Sequence, residues 1–216
     1  MIAWKNLLLR LVPLCSSLIV GCAQQPYDYS ALENSKPRSI LVIPPMNDSI
    51  EVNAPYIFLS TISKPLAEKG YYVFPVAVID QLLKENGLQT PADMHQISLN
   101  KIAEYINPDA ILYVTIDDWG QKYKLLSSTT VVSASMELVD TKTGGTIWDA
   151  KAIAQKGSSD EDDSLGRMLT NAIIAQIAGS ITDQTPDLAR MANQAAINDP
   201  TRGLLNGPYR LVEPNK

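Results

Sequence analysis

Two hydrophobic periods run along this chain, and the switch between them organises it. Residues 39–43 (Ser-Ile-Leu-Val-Ile) are almost continuously apolar and are closed by Pro44 and Pro45. Such a run fits a strand buried on both faces. After a loop over residues 46–54, the spacing predicts a helix over 55–69, with Pro55 suited to its first turn and Gly70 to its end. Pro65 falls inside that pattern and should kink or break it. Residues 71–76 read as a second strand, 78–86 as a short helix stopped by Gly87, and 99–105 as another ended by Asn107-Pro108. The run Ala-Ile-Leu-Tyr-Val-Thr-Ile at 110–116 is a third strand of the buried type.

The period then shortens to two. Val132, Ala134, Met136 and Leu138 share one face of residues 130–139, and a Gly-bearing turn at 140–145 returns the chain as a strand over 146–154. Two such runs around a short turn make a hairpin. Beyond it, Leu165, Met168, Leu169, Ala172, Ile173, Ile177 and Ile181 recur every three or four residues, the spacing of a long helix face. Residues 187–197 form a second helical pattern, and Pro208 and Pro214 leave the end extended. The order β-α-β-α-α-β-β-β-α-α predicts one α/β (α+β) domain over residues 38–200. Its mixed sheet opens with βαβ, ends in a hairpin and carries packed helices. Residues 201–216 follow as an extended C-terminal segment.

The first 37 residues behave differently. Lys5 and Arg10 are the only charges among the first ten, and an apolar stretch over 11–20 leads into Leu18-Ile19-Val20-Gly21-Cys22. A cationic start, a short apolar core and a small residue before the cut describe an export signal. The stretch is shorter than the roughly 20 apolar residues that a membrane span needs. The last five residues resemble the lipobox of bacterial lipoproteins. That resemblance implies a signal peptide over 1–21 and a mature chain beginning at Cys22, whose thiol carries a diacylglyceryl group of palmitate-like fatty chains. One chain binds a membrane marginally and two bind it stably, so the mature protein should stay there. Ala23 follows the cysteine where the inner-membrane retention signal of enterobacterial lipoproteins has Asp, which implies transfer to the outer membrane. Residues 22–37, polar and interrupted by Pro26 and Pro37, read as a tether reaching about 20 Å if flexible.

Composition narrows the chemistry. Cys15 and Cys22 are the only cysteines, and both belong to the leader or the lipid site, so the domain has no thiol for disulfide or metal chemistry. Without Lys5 and Arg10 the mature chain carries 16 basic against 23 acidic side chains, a formal charge of −7. That balance suits neither nucleic acid nor a polybasic grip on anionic lipid. His95 is the only histidine, which excludes a multi-histidine metal centre, and it sits in a polar connector where a surface role is expected. The Gly144-Gly145 pair lies in a hairpin turn and not in a phosphate-binding loop. No cofactor and no metal site are expected.

Three groups remain as candidates. Asp117 and Asp118 follow the third core strand, where open α/β sheets place ligands. Consecutive strand residues point to opposite faces, so the pair converges only if the strand has ended before it. The acidic run Ser158-Ser159-Asp160-Glu161-Asp162-Asp163 suits the positive end of a helix dipole and lacks the ligand pattern of a calcium loop. Ala172, Ala175, Ala178 and Gly179 leave a groove on the long helix that either the core fills or a partner copy enters. Nine tyrosines against two phenylalanines also favour interfaces.

Pro37-Arg38-Ser39-Ile40-Leu41-Val42-Ile43-Pro44-Pro45, Asn107-Pro108-Asp109-Ala110 and Val139-Asp140-Thr141-Lys142-Thr143-Gly144 before Ile147-Trp148 carry a resemblance along the whole mature chain. The sequence resembles the Gram-negative lipoproteins classed as domain of unknown function 799, a family that includes a meningococcal vaccine-candidate antigen. Its hairpin is similar to that of the wider group sharing the fold of the TolB N-terminal domain and the curli-secretion channel lipoprotein. The resemblance implies an envelope protein with no assigned catalytic residues, encoded beside curli-channel-like lipoproteins and associated with export. The reading is a non-enzymatic binding or assembly component of an outer-membrane export or secretion complex. It would be lipid-anchored, periplasm-facing, and self-associating, for instance as a dimer. The alternatives are a ligand-binding auxiliary lipoprotein of a transporter, with a cleft between residues 46–54 and 117–120, and a periplasmic hydrolase using Asp117, Asp118 and His95.

Overall fold

The structure is a computed structural model that describes residues 26–124, 127–157, 173–174 and 184–210. Among these residues the helices are α1 (Ser30–Ser35), α2 (Ala54–Glu68), α3 (Val76–Glu85), α4 (Pro91–His95), α5 (Leu99–Tyr105) and α6 (Thr185–Asn198). The strands are β1 (Ser39–Val42), β2 (Met46–Asn47), β3 (Tyr72–Val73), β4 (Ala110–Lys124), β5 (Ser127–Asp140), β6 (Thr146–Gly157) and β7 (Ile173–Ile174). They join in one mixed sheet of order β3-β1-β4-β5-β6-β7, with β2 also paired to β4.

The first apolar run behaves as its composition requires. In β1, Ile40 and Val42 enter one core and Leu41 enters the other, as does the adjoining Ile43. Pro44 and Pro45 interrupt the ladder, and β2 resumes pairing on the same edge of β4, at Met46↔Thr115 and Asn47↔Ile116. The crossover from β1 to β3 runs through α2, and the return from β3 to β4 runs through α3, α4 and α5. The two crossovers travel in opposite directions, so a common right-handed sense puts their helices on opposite faces. Accordingly Phe58, Ile62 and Leu66 of α2 pack in one core with Leu188, Ala192 and Ile197 of α6. Ile79, Leu83, Met94 and Ile102 pack in the second.

The antiparallel half has alternating burial. Val132, Ala134, Met136 and Leu138 of β5 and Ala150, Ala152 and Ala154 of β6 join the α2–α6 core. Their neighbours Ser133, Ser135 and Ile153 are half-buried on the other face.

Several expectations are corrected. α2 continues unbroken through Pro65, which lies in its last turn with its ring buried. The third core strand does not stop at Ile116; β4 runs to Lys124. The polar connector around His95 is a short helix, closed at its start by a reciprocal cap in which the Thr90 hydroxyl accepts from the Asp93 amide and the Asp93 carboxylate accepts from the Thr90 amide. The expected tether is not free from Tyr27 onward: α1 buries Leu32, and Tyr27 and Tyr29 pack against the core. The helix expected from Leu165 to Ile181 falls mostly outside the described residues, but Ile173 and Ile174 within it are strand, paired in parallel with Ala154 and Gln155. Two adjacent β-branched residues favour that conformation.

Candidate functional site

The polar residues of the recognisable motifs meet at one end of the sheet, where β1 and β4 begin and β5 ends. One Asp109 carboxylate oxygen accepts from the Arg38 and Ser39 amides and the Ser39 hydroxyl, each at 3.0 Å, and the Ser39 hydroxyl oxygen accepts from the Asp109 amide at 2.9 Å. The Asp109 carbonyl accepts from the Thr141 amide. Asn107 reaches Asp109 through a left-handed backbone (φ 55°), a conformation Asn tolerates better than most residues.

Asp140, buried in the hairpin turn, accepts from the Lys142 and Thr143 amides, the Thr143 hydroxyl and, at 2.5 Å, the Ser35 hydroxyl. Burial alone would raise this carboxyl. The bonds from Ser35, Thr143 and Lys142 outweigh that and hold its pKa below the ordinary value. These motifs therefore build a joint that ties α1, β1, β4 and the hairpin together.

Asp117 and Asp118 lie mid-strand, at a β-bulge where the register slips between Ile116↔Ala134 and Asp118↔Ser133. The extra residue shifts the alternation by one. Ile116 and Trp119 both face the core, and the two acids stay off it. Asp117 accepts from the Ser133 and Ser135 hydroxyls, and Asp118 pairs with Lys122 at 2.8 Å. Each acid has its own structural partners, so the convergence imagined for a strand terminus does not arise that way. His95 is half-buried, a correction to its expected surface role. Its Nε2 lies 3.0 Å from the Pro44 carbonyl, which only accepts, so Nε2 carries the proton, and its ring meets Tyr113 edge-on. Burial lowers its pKa, against the opposing pull of the Pro44 carbonyl. His95 is not placed with Asp117 and Asp118 by any bond or ion pair among the described residues.

The N-terminal segment is fastened to the outer edge of β6. The Tyr27 hydroxyl donates to the Asp149 carboxylate at 3.0 Å and accepts from the Asp149 amide at 3.1 Å. Arg202 pairs with the same carboxylate, donates to the Asp149 carbonyl and lies over the Tyr27 ring. The Tyr29 hydroxyl donates to the Gly203 carbonyl at 2.7 Å. Both free backbone groups of Asp149 are thereby closed to strand addition.

The loop between β2 and α2 is the segment whose side chains are arranged in reverse of the usual economy. Its polar residues are turned onto their own backbone. Asn47 donates to the Glu51 carbonyl and accepts from the Ser49 amide and hydroxyl, and the Ser49 hydroxyl accepts from the Glu51 amide. The Glu51 carboxylate accepts from the Asn53 amide, and the Asp48 amide donates to the Ile116 carbonyl. Its apolar residues point to solvent: Ile50 is 98% exposed and Val52 77% exposed. Tyr56, in the first turn of α2, is also exposed and takes Lys84 over its ring. A loop stiffened by its own side-chain bonds displays these groups without further ordering cost, which is what a contact surface needs. Sequence reasoning marked residues 46–54 as the rim of a cleft and missed Ile50 and Val52. The readable signal was two β-branched residues interleaved with Ser, Glu and Asn.

A shallow groove of about 630 Å³ lies between α1 and the C-terminal segment, lined by Leu32, Lys36, Tyr71 and Leu205 among others. Cys22, the acidic run at 158–163 and the small residues Ala172, Ala175, Ala178 and Gly179 lie outside the described residues.

Residues 27–209 match the model of the family described as "Putative lipoprotein GNA1162-like". A "Putative lipoprotein NMB1124/NMB1162" of Neisseria meningitidis serogroup B is 39% identical over 188 residues, 87% of each chain. The crystal structure of lipoprotein GNA1162 from Neisseria meningitidis superposes with a TM-score of 0.54 at 41% identity, covering 62% of this chain and 92% of that one. The C-terminal domain of LpoB from Escherichia coli matches at a TM-score of 0.38 and 19% identity, over 55% of this chain and 83% of that one.

Proposed function

This chain belongs to the GNA1162-like lipoprotein family, and on that footing we propose that it is a non-catalytic contact protein of the bacterial envelope. It is lipidated at Cys22, held at the outer membrane facing the periplasm, and works as a binding or assembly component of an export or secretion complex. Its partners are other envelope lipoproteins and further copies of itself. The carrying observation is the pair Ile50 and Val52, exposed on a loop that its own hydrogen bonds hold in shape. Exposed β-branched side chains on a pre-ordered loop favour association with a partner. The acids that looked reactive in the sequence instead have structural partners at the bulge.

Co-purification of the native lipidated protein from detergent extracts, wild type against Ile50→Asp/Val52→Asp, tests this. The expected result is an envelope partner or a second copy that is lost in the variant. Two such exposed substitutions should change stability by less than about 1 kcal/mol. A strictly monomeric wild type with no envelope partner would overturn the proposal.

A ligand-binding role keeps one specific support. The Asp48 amide bonds to the Ile116 carbonyl, so residues 46–54 do adjoin the Asp117–Asp118 bulge, the two rims expected of a cleft. A ligand that raises the melting temperature of wild type and not of Asp117→Asn would promote that reading.

A further inference from the structure

Among the described residues, Tyr27 is the first with a firm hold on the domain, bonded to Asp149 on the outer edge of β6. Only Ala23, Gln24, Gln25 and Pro26 separate it from Cys22, a span of at most about 18 Å even when fully extended. Crossing the headgroup layer, roughly 5–8 Å thick, uses part of that span. A compact domain of this size is about 40 Å across. The leash is therefore far shorter than the body it holds, and the body cannot turn over on it.

We infer that the face built by Tyr27, α1 and Arg202 rests on the phospholipid headgroups, and that the Ile50–Val52 loop is turned away from them. The inference rests on the lipid anchor at Cys22 proposed above. The loop follows β2, which sits three strand spacings from β6, about 14 Å across the sheet. Tyr27 lies beyond β6 on its outer edge, so the anchored side and the loop occupy opposite flanks. The outward residues of α1 suit a headgroup layer: Ala31, Asn34 and the oppositely charged Glu33 are exposed, with Lys36 just past the helix. The domain therefore rides on the bilayer with a fixed orientation instead of reaching outward on a tether.

The mature chain has no cysteine except the lipidated one, so single labels can be introduced cleanly. The full lipidated protein, carrying a nitroxide at Ala31→Cys or at Ile50→Cys, is reconstituted into phosphatidylcholine vesicles doped with a nickel-chelating lipid. Relaxation by the lipid-borne nickel should be severalfold stronger at position 31 than at position 50. Inserting a dozen Gly/Ser residues between Gln25 and Pro26 lengthens the leash by roughly 20 Å. The difference between the two labels should then collapse while the protein still floats with the vesicles. Equal relaxation at 31 and 50 without the insertion, or a difference that survives it, would overturn the inference. Failure of the uninserted protein to float would overturn the lipid anchor itself, an outcome separate from either.

Discussion

Asp140 ties the hairpin turn to the N-terminal helix α1. Its carboxylate gathers two amides and two hydroxyls, from its own turn and from α1. Truncation to alanine leaves buried donors without an acceptor, so Asp140→Ala should lower the unfolding free energy by about 2–3 kcal/mol in denaturant titrations. Folding favours the ionised form, because the folded pKa lies below the ordinary 3.8. The contribution is then complete above pH 3.8 and is lost as pH falls through the folded value. The stability gap between wild type and Asp140→Ala should stay constant from pH 7 to about pH 5 and narrow below pH 4. A gap independent of pH down to pH 3 would contradict this assignment. Residue patterns of this kind were legible as a family signature, yet their purpose was not. Nothing in Asp-Thr-Lys-Thr-Gly reveals that Ser35, more than a hundred positions away, supplies the fourth bond.

At the scale of elements, local period decided what could be read. The unbroken run of β1 and the alternation of β5 were legible because burial on two faces or one leaves opposite patterns. The bulge was not, since one extra residue in a ladder leaves no mark in composition, and Asp117-Asp118 looked like a strand end. Its role can be tested by deletion. Removing Asp117 leaves Ile116↔Ala134, Asp118↔Ser133 and Trp119↔Val132 paired in a regular ladder, so Trp119, now 2% exposed, should keep its place in the core. The cost should stay below about 2 kcal/mol, from the lost bonds to Ser133 and Ser135, with unfolding in denaturant still cooperative. Loss of a cooperative transition would show that the bulge itself holds the strand pair together.

The N-terminal segment was misread for a related reason. Pro26, Pro37 and polar residues imitate a linker, while the two tyrosines act through long-range bonds that no local pattern encodes. Deleting residues 26–35 from a soluble mature chain should destabilise it by roughly 2–4 kcal/mol through loss of Leu32 burial and the Tyr27 and Tyr29 bonds. A true tether could be removed with no change in melting temperature.

For the whole molecule, the proposed function assigns different roles to the two flanks of the fold. One flank, closed at β6 by Tyr27 and Arg202, carries the N-terminus that leads to Cys22. The other displays Ile50 and Val52 on a loop that spends its polar groups on itself. The sequence marks the apolar pair only by its alternation with polar residues; that both side chains are exposed follows from where β2 rejoins β4, which no local pattern encodes. A photo-crosslinking side chain placed at position 50 of the membrane-bound protein reads the consequence most directly. The expected result is a discrete ultraviolet-dependent adduct with an envelope protein or a second copy, from position 50 and not from position 31 on the opposite flank. No adduct from position 50 in intact cells, or the same adduct from both positions, would contradict a protein that works through that loop.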